Sequence, residues 1–464
     1  MARSTPRAVI VVSVLLALLI SQHAVAQVII DWRDTETLIV TAKLAGVEHY
    51  AMVDTGVGGF VIAETRAREV LAGKVSSAGQ YAVIDTGDRN FGDSNFAIAE
   101  TKFREALDRR KSSTTTVGSL TGSLTSVLFD DIQMEVVGLP SCVGEVVTRP
   151  DREFAIISEI YGRDILCRVG IPILKRLVLS FDNGRAILGD SVGRIASPAA
   201  TYKLTSAKLA SWTPTAPQDT PAVFCELGPS RRLVFCILTG LDSPLSLDAT
   251  YADSLCSSGE AIRVLQRGQL YHGSPERLIV REIEVFGIVF RNVPAEIGRV
   301  NAVGFALLRN LNFTLDFPNK RVRVPDPPQS GQDWFPIDAS GLRIVRKEDQ
   351  LTRIRRIVEN STADVAGVKV DDVIVAVNGT PALEMSRYEV EEVLSKPGTT
   401  VHLDLVRNGK AVTMDVPLEH PFEYPPKWPP RPEPTKDQLD FEKFLGEQSP
   451  GKARAESAIK PKGE

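Results

Sequence analysis

The chain has 464 residues, a formal net charge of −4 and five cysteines. At roughly 150 residues per domain, that length makes room for about three domains. The 43% hydrophobic and 24% charged content is that of a protein with buried cores. It excludes a wholly disordered chain, and the near-neutral charge excludes a polybasic nucleic-acid binder. Only five histidines are present, with no Walker loop, His-rich metal motif or paired CxxC. No cofactor and no metal are expected.

At the N-terminus, Arg3 and Arg7 precede an apolar run, Ala8 to Ile20, interrupted only by Ser13, and Ala24-Val25-Ala26 supplies a small-x-small site. The run is short for a span of about 20 residues. The pattern predicts a cleaved signal peptide over 1–26 and an exported protein, periplasmic or secreted. Export permits disulfides. Cys142, Cys167, Cys225, Cys236 and Cys256 are odd in number and form no framework. Cys225 and Cys236 flank a predicted hairpin and could meet, but buried unpaired thiols are the expectation.

The next 300 residues contain a repeat. GIPILKRLVLSFD at 170–182 aligns without gaps with GFALLRNLNFTLD at 304–316. Residues 48–65 echo 232–249 in apolar pattern, and IQMEVVGLP echoes IEVFGIVFRNVP. Three echoes in one order predict two copies of one β unit, over 27–195 and 196–328. Gly and Pro punctuation and weak helical periodicity make both copies strand-rich. The first copy carries an extra polar stretch near 70–115.

In the first copy the apolar strand Ala51-Met52-Val53 ends in Asp54-Thr55-Gly56, and Phe60-Val61-Ile62 follows. A carboxylate is thus set at a tight turn between apolar strands, with Gly56 allowing close backbone approach. Asp85-Thr86-Gly87 repeats the triplet without the apolar continuation and reads as a turn. VDTG at 53–56, Arg168-Val169-Gly170, Ala302-Val303-Gly304 and the G-x-x-x-L-x-x-L…D endings resemble a tandem of retropepsin-like aspartic protease units.

The resemblance implies two β-barrel lobes forming a pepsin-like bilobal unit. It implies Asp54, Thr55 and Gly56 as the catalytic turn, and a flap that closes on substrate, for which Val117, Gly118 and Ser119 are the candidates. Such enzymes use two aspartates about 3 Å apart that share one proton. Here the second copy departs from the pattern: its triplet is Leu238-Thr239-Gly240, and Asp242 lies four residues on. Three readings follow. Two chains pair as a homodimer through their first lobes, or Asp54 works with an unusual partner, or the unit binds peptides without cutting them.

Residues 329–420 have different patterning: short strands around one amphipathic helix, Ser386 to Leu394. Ser340-Gly341-Leu342-Arg343-Ile344, Ala366-Gly367-Val368, Asp372-Val373-Ile374 and Val377-Asn378-Gly379 resemble a bacterial-type PDZ domain, a small, partly open α/β barrel. Thr362 and Asp371 stand where that pattern has Pro and Gly. The resemblance implies a peptide-binding site at Gly341, Leu342, Arg343 and Ile344 for a ligand with a free C-terminus. Beyond His420, PPKWPPRPEP and a charged remainder predict a disordered tail over 421–464. The overall expectation is a mainly β protein that meets a polypeptide substrate or peptide ligand. It is an exported aspartic-type endopeptidase or an inactive relative that binds peptides.

Overall fold

The computed structural model describes residues 27–71, 82–86, 124–189, 198–209, 218–227, 231–265, 276–325, 337–420 and 427–428, less positions 58, 150, 183, 299 and 348. The signal-peptide expectation (1–26) and the flap candidates Val117, Gly118 and Ser119 lie outside these residues. The protein is mainly β, in four sheets.

The first lobe is a seven-stranded sheet that closes on itself. Its order is Ile39–Leu44, Val47–Val53, Ile165–Val169, Phe60–Ala63, Cys142–Arg149, Leu124–Val136 and Ala82–Thr86. Closure comes from Ala42 pairing with Val136. Asp85 and Thr86 therefore end a strand opposite Thr125 and Leu124, where the sequence suggested a turn. The second lobe has eight strands and closes through pairing of Gln218–Leu227 with Glu276–Val285. The repeated central glycines have one role in both lobes. Gly138 and Gly287 sit at φ +92° and +79°, a left-handed conformation that glycine adopts without a Cβ penalty.

A six-stranded sheet joins the lobes, in the order Gln27–Asp31, Arg185–Gly189, Val178–Asp182, Phe313–Asp316, Arg321–Pro325, Pro198–Lys203. Its centre is where the two copies of the repeat meet. Val178–Asp182 runs antiparallel to Phe313–Asp316, with Ser180 opposite Thr314 and Leu179 opposite Leu315. The Ser180 and Thr314 hydroxyls bond at 2.9 Å, and the Phe181 and Phe313 rings stack 4.5 Å apart. One continuous apolar core runs through both lobes and this sheet, including Leu38, Phe60, Leu179, Phe235, Phe305 and Leu315.

The C-terminal unit has its own core. Its main strands are Leu342–Arg346, Thr352–Ile357, Val373–Val377, Thr400–Arg407 and Lys410–Pro417, with Leu342–Arg346 at the sheet edge. Helix Arg387–Leu394 starts with a capping box, Ser386 and Glu389 bonding one another's backbone N–H groups. Asp371 stands at φ +69°, which explains why the resembled pattern carries glycine there.

All five cysteines are free. Cys225 lies opposite Leu233 and Cys236 opposite Ala222 on adjacent strands, so these two are not register partners. Within the tail expected to be disordered, Lys427 and Trp428 are described. Trp428 lies against the second lobe, its ring 4.7 Å from the Arg281 guanidinium and its Nε1 donating to Asn292 at 2.9 Å.

Candidate functional site

The Asp54 turn is built between neighbouring strands. Val53 N–H donates to the Leu38 carbonyl and Asp54 N–H to the Val169 carbonyl, at 2.8 and 3.0 Å. The Asp54 carboxylate accepts the Gly56 N–H at 2.8 Å and is only 6% exposed. Thr55 reaches across to the other lobe. Its N–H donates to Thr239 Oγ1 at 3.1 Å, and Thr239 N–H donates back to Thr55 Oγ1 at 3.0 Å. Each hydroxyl also donates to a carbonyl of the opposite strand, Thr239 to Val53 at 2.8 Å and Thr55 to Ile237. The two triplets thus meet as near-symmetric halves.

The symmetry extends to the neighbouring glycines. A Cβ on Gly240 would fall 2.4 Å from Asp54 Oδ2, and one on Gly56 would fall 2.9 Å from Leu238 Cδ2. Asp54 and Leu238 therefore hold corresponding positions, each packed on the other lobe's glycine. Among the described residues, the charged side chain beside Asp54 is Arg168, with Nη1 3.7 Å from Oδ2. No carboxyl is hydrogen-bonded to Asp54 there. Asp242 is turned to Tyr161, whose hydroxyl bonds it. Because Asp54 is faced within its own chain by Gly240, two first lobes from separate chains cannot join their Asp54 carboxylates without opening this contact.

The downstream glycines brace both turns. A Cβ on Gly170 would lie 2.1 Å from the Val57 carbonyl oxygen, and one on Gly304 would lie 1.9 Å from that of Ser243. In each lobe the chain runs directly beneath the loop that follows the triplet. Ile171 N–H donates to the Val57 carbonyl, and Phe305 N–H to the Leu241 carbonyl.

A cavity of about 570 Å³ opens from this point. Arg168 and Gly240, both against Asp54, line one side; Asp338, Leu342 and Arg343 of the C-terminal unit line another. The peptide-site candidates in that unit are already engaged. Gly341, at φ +78°, donates its N–H to Asp338 at 2.8 Å. Leu342 N–H goes to Ser340 Oγ at 3.0 Å. Ile344 is buried in the unit's core. Arg343 turns to Glu36 of the first lobe, 3.7 Å away. The N–H groups of Gly341 and Leu342 are thus taken by side chains of the same loop.

Glu36 is the centre of a buried charge cluster. Arg387 Nη2 lies 2.7 Å and Arg309 Nη1 3.0 Å from its carboxylate. Arg387 also bonds Glu391 at 2.9 Å. Burial works against ionising Glu36, but Arg387, a hydrogen bond from Glu391, Arg309 and Arg343 outweigh it and hold its pKa well below the usual carboxylate range. Glu391 faces the cavity but is otherwise enclosed. Burial and the Glu36 charge push it up to about 8.

Sequence reasoning missed Arg168, Glu36 and Asp338. Arg168 had a signal: its partner in the aligned repeat is Ala302, so an arginine enters one copy alone. Glu36 lies in a segment without a motif, and only tertiary contact marks it.

Residues 338–406 match the PDZ domain family, and the C-terminal unit is a PDZ domain. Among solved structures, a photosystem II D1 C-terminal processing protease is similar at 23% identity, with a TM-score of 0.18. The match covers 19% of this chain and 24% of that protein. No curated protein sequence matches the chain.

Proposed function

We propose that the chain is an exported, protease-like peptide-binding protein. In this reading the first two lobes are a retropepsin-like pair whose proton-sharing dyad has lapsed, and the PDZ domain holds polypeptide segments. The reciprocal threonines and the two braced glycine turns support the retropepsin-like likeness. The observation that carries the non-catalytic reading is Leu238 at the position corresponding to Asp54. Aspartyl hydrolysis needs one carboxyl to give a proton while the other activates water. Leucine can do neither. Arg168 offers N–H donors only and has no acceptor with which to take a proton from water. Export rests on Arg3, Arg7 and the apolar run that follows.

The test is incubation of the purified chain with an unstructured protein such as casein, from pH 3 to pH 8, beside Asp54→Asn. The expected result is retention of peptide with no product that depends on Asp54. Products that vanish in Asp54→Asn would favour the second reading, an aspartic-type endopeptidase. That reading is kept alive by one observation: Arg168 and Gly240, which lie against Asp54, line a cavity large enough for several side chains.

A further inference from the structure

The PDZ groove lies between the edge strand Leu342–Arg346 and the helix Arg387–Leu394, and the first lobe covers it. The segment Trp32–Glu36 touches both walls. On the helix side, Tyr388 N–H donates to the Arg33 carbonyl at 2.8 Å and Arg387 N–H to the Asp34 carboxylate at 3.1 Å. Trp32 packs edge-on against the Tyr388 ring. On the strand side, Arg346 Nη1 holds the same Asp34 oxygen at 3.1 Å, while Arg343 faces Glu36. Gly162 presses on the strand itself: a Cβ there would lie 2.9 Å from the Arg346 carbonyl oxygen.

Two features indicate that the carboxylates are what the groove selects. The basic side chains Arg343, Arg346 and Arg387 on the two walls each turn to Asp34 or Glu36, Arg387 sharing its guanidinium with Glu391 of its own helix. Glu36 itself stands at φ +56°, a left-handed conformation that costs a residue with a Cβ about 1 kcal/mol or more. Its carboxylate is held by Arg343 and Arg387 of the two groove walls, and by Arg309 of the second lobe, despite that strain. The loop that would capture a terminal carboxylate is meanwhile filled by Asp338. Side-chain carboxylates are what remains for the groove to read.

We propose that the PDZ groove is a recognition site for acidic peptide segments with carboxylates two positions apart, and that Asp34-Thr35-Glu36 is its internal occupant. This rests on the peptide-binding reading above and names the ligand class. A partner peptide must displace the first-lobe segment, so its apparent affinity is reduced by the fraction of molecules whose groove is open.

The experiment uses the full chain and two labelled hexapeptides, WRDTET, which copies residues 32–37, and its neutral form WRNTQT. Binding is followed by fluorescence anisotropy. D34N/E36Q should bind WRDTET at least about tenfold more tightly than the unaltered chain does. WRNTQT should bind that variant about tenfold more weakly than WRDTET, because charge-assisted bonds to arginine are lost. Arg343→Ala added to the variant should erase the difference between the peptides. If D34N/E36Q does not fold, Asp34→Asn alone carries the test, with a gain of about threefold expected from releasing one of the two anchors. Equal binding of both peptides would overturn the acidic preference while leaving peptide binding intact. Equal affinity for the altered and unaltered chains would overturn the internal-occupant claim. Failure of every peptide, including an apolar one with a free C-terminus, to bind any folded variant would remove the peptide-binding reading itself.

Discussion

Thr55 and Thr239 hold each other across the lobe interface, each accepting the other's backbone N–H at about 3 Å and each donating its hydroxyl to a carbonyl of the opposite strand. Both residues are essentially without solvent access. Thr239→Val removes the acceptor for Thr55 N–H and the donor for the Val53 carbonyl while keeping the shape. Each group left unsatisfied costs about 1–3 kcal/mol. Denaturant unfolding should show Thr239→Val clearly destabilised and Thr239→Ser close to the unaltered chain. Equal stability of the valine and serine variants would contradict the network.

Placing a carboxylate at position 238, which corresponds to Asp54, should create a proton-sharing pair, provided the neighbouring cation is removed. Two carboxylates close together cannot both ionise, whereas a guanidinium beside them keeps both charged. Leu238→Asp/Arg168→Ala should therefore cleave an unstructured peptide, with a rate that rises below about pH 6 as the pair takes up its shared proton. Leu238→Asp alone should be the weaker enzyme, and adding Asp54→Asn should abolish cleavage. A double variant that folds and remains inert from pH 3 to pH 7 would contradict this geometry.

Docking of the PDZ domain should depend on pH through Glu36 and Glu391. Three arginines face this pair, Arg387 on the helix of Glu391, Arg343 on the edge strand and Arg309 from the second lobe, and each carboxyl faces the other. Glu391 is raised from an ordinary 4.5 to about 8. Its protonated form is favoured when docked, so its contribution is complete below its ordinary value and is lost as pH rises through about 8. Glu36 is lowered, so its contribution is present above the ordinary value and is lost as pH falls through the depressed one. Docking should thus be tightest near pH 4.5–5 and weaken as pH rises to about 8, with little further change above it. Limited proteolysis between the second lobe and the PDZ domain should accelerate from about pH 5 to about pH 8. Glu391→Gln should flatten that rise.

Much of the fold could be read in the sequence because repeats and turn chemistry are local. The aligned segments ending at Asp182 and Asp316 do form sister strands, and they pair with each other at the centre of the shared sheet. Within the PDZ-like motif Val377-Asn378-Gly379, both Asn378 and Gly379 stand at positive φ, in the turn that pairs Val377 with Thr380. The Asp54 turn was equally plain, as was the leucine in its sister triplet. The Glu36 cluster could not be read, since its members come from positions 36, 309, 343, 387 and 391 and meet only when three units pack. The closed state of the PDZ groove was hidden for the same reason. The residues of the PDZ pattern are recognisable by spacing, but what lies against them is decided by a segment some 300 residues earlier.

Trp428, held against the second lobe by Arg281 and Asn292, gives the PDZ domain a second tether. The domain is connected to the lobes before residue 337 and again eight residues after His420. Fully extended, those eight residues span at most about 29 Å. A PDZ domain released from Glu36 therefore stays on a short leash at both ends, at a high effective concentration over the surface it left. Release would be brief and local, and a competing peptide would have to outlast rapid recapture.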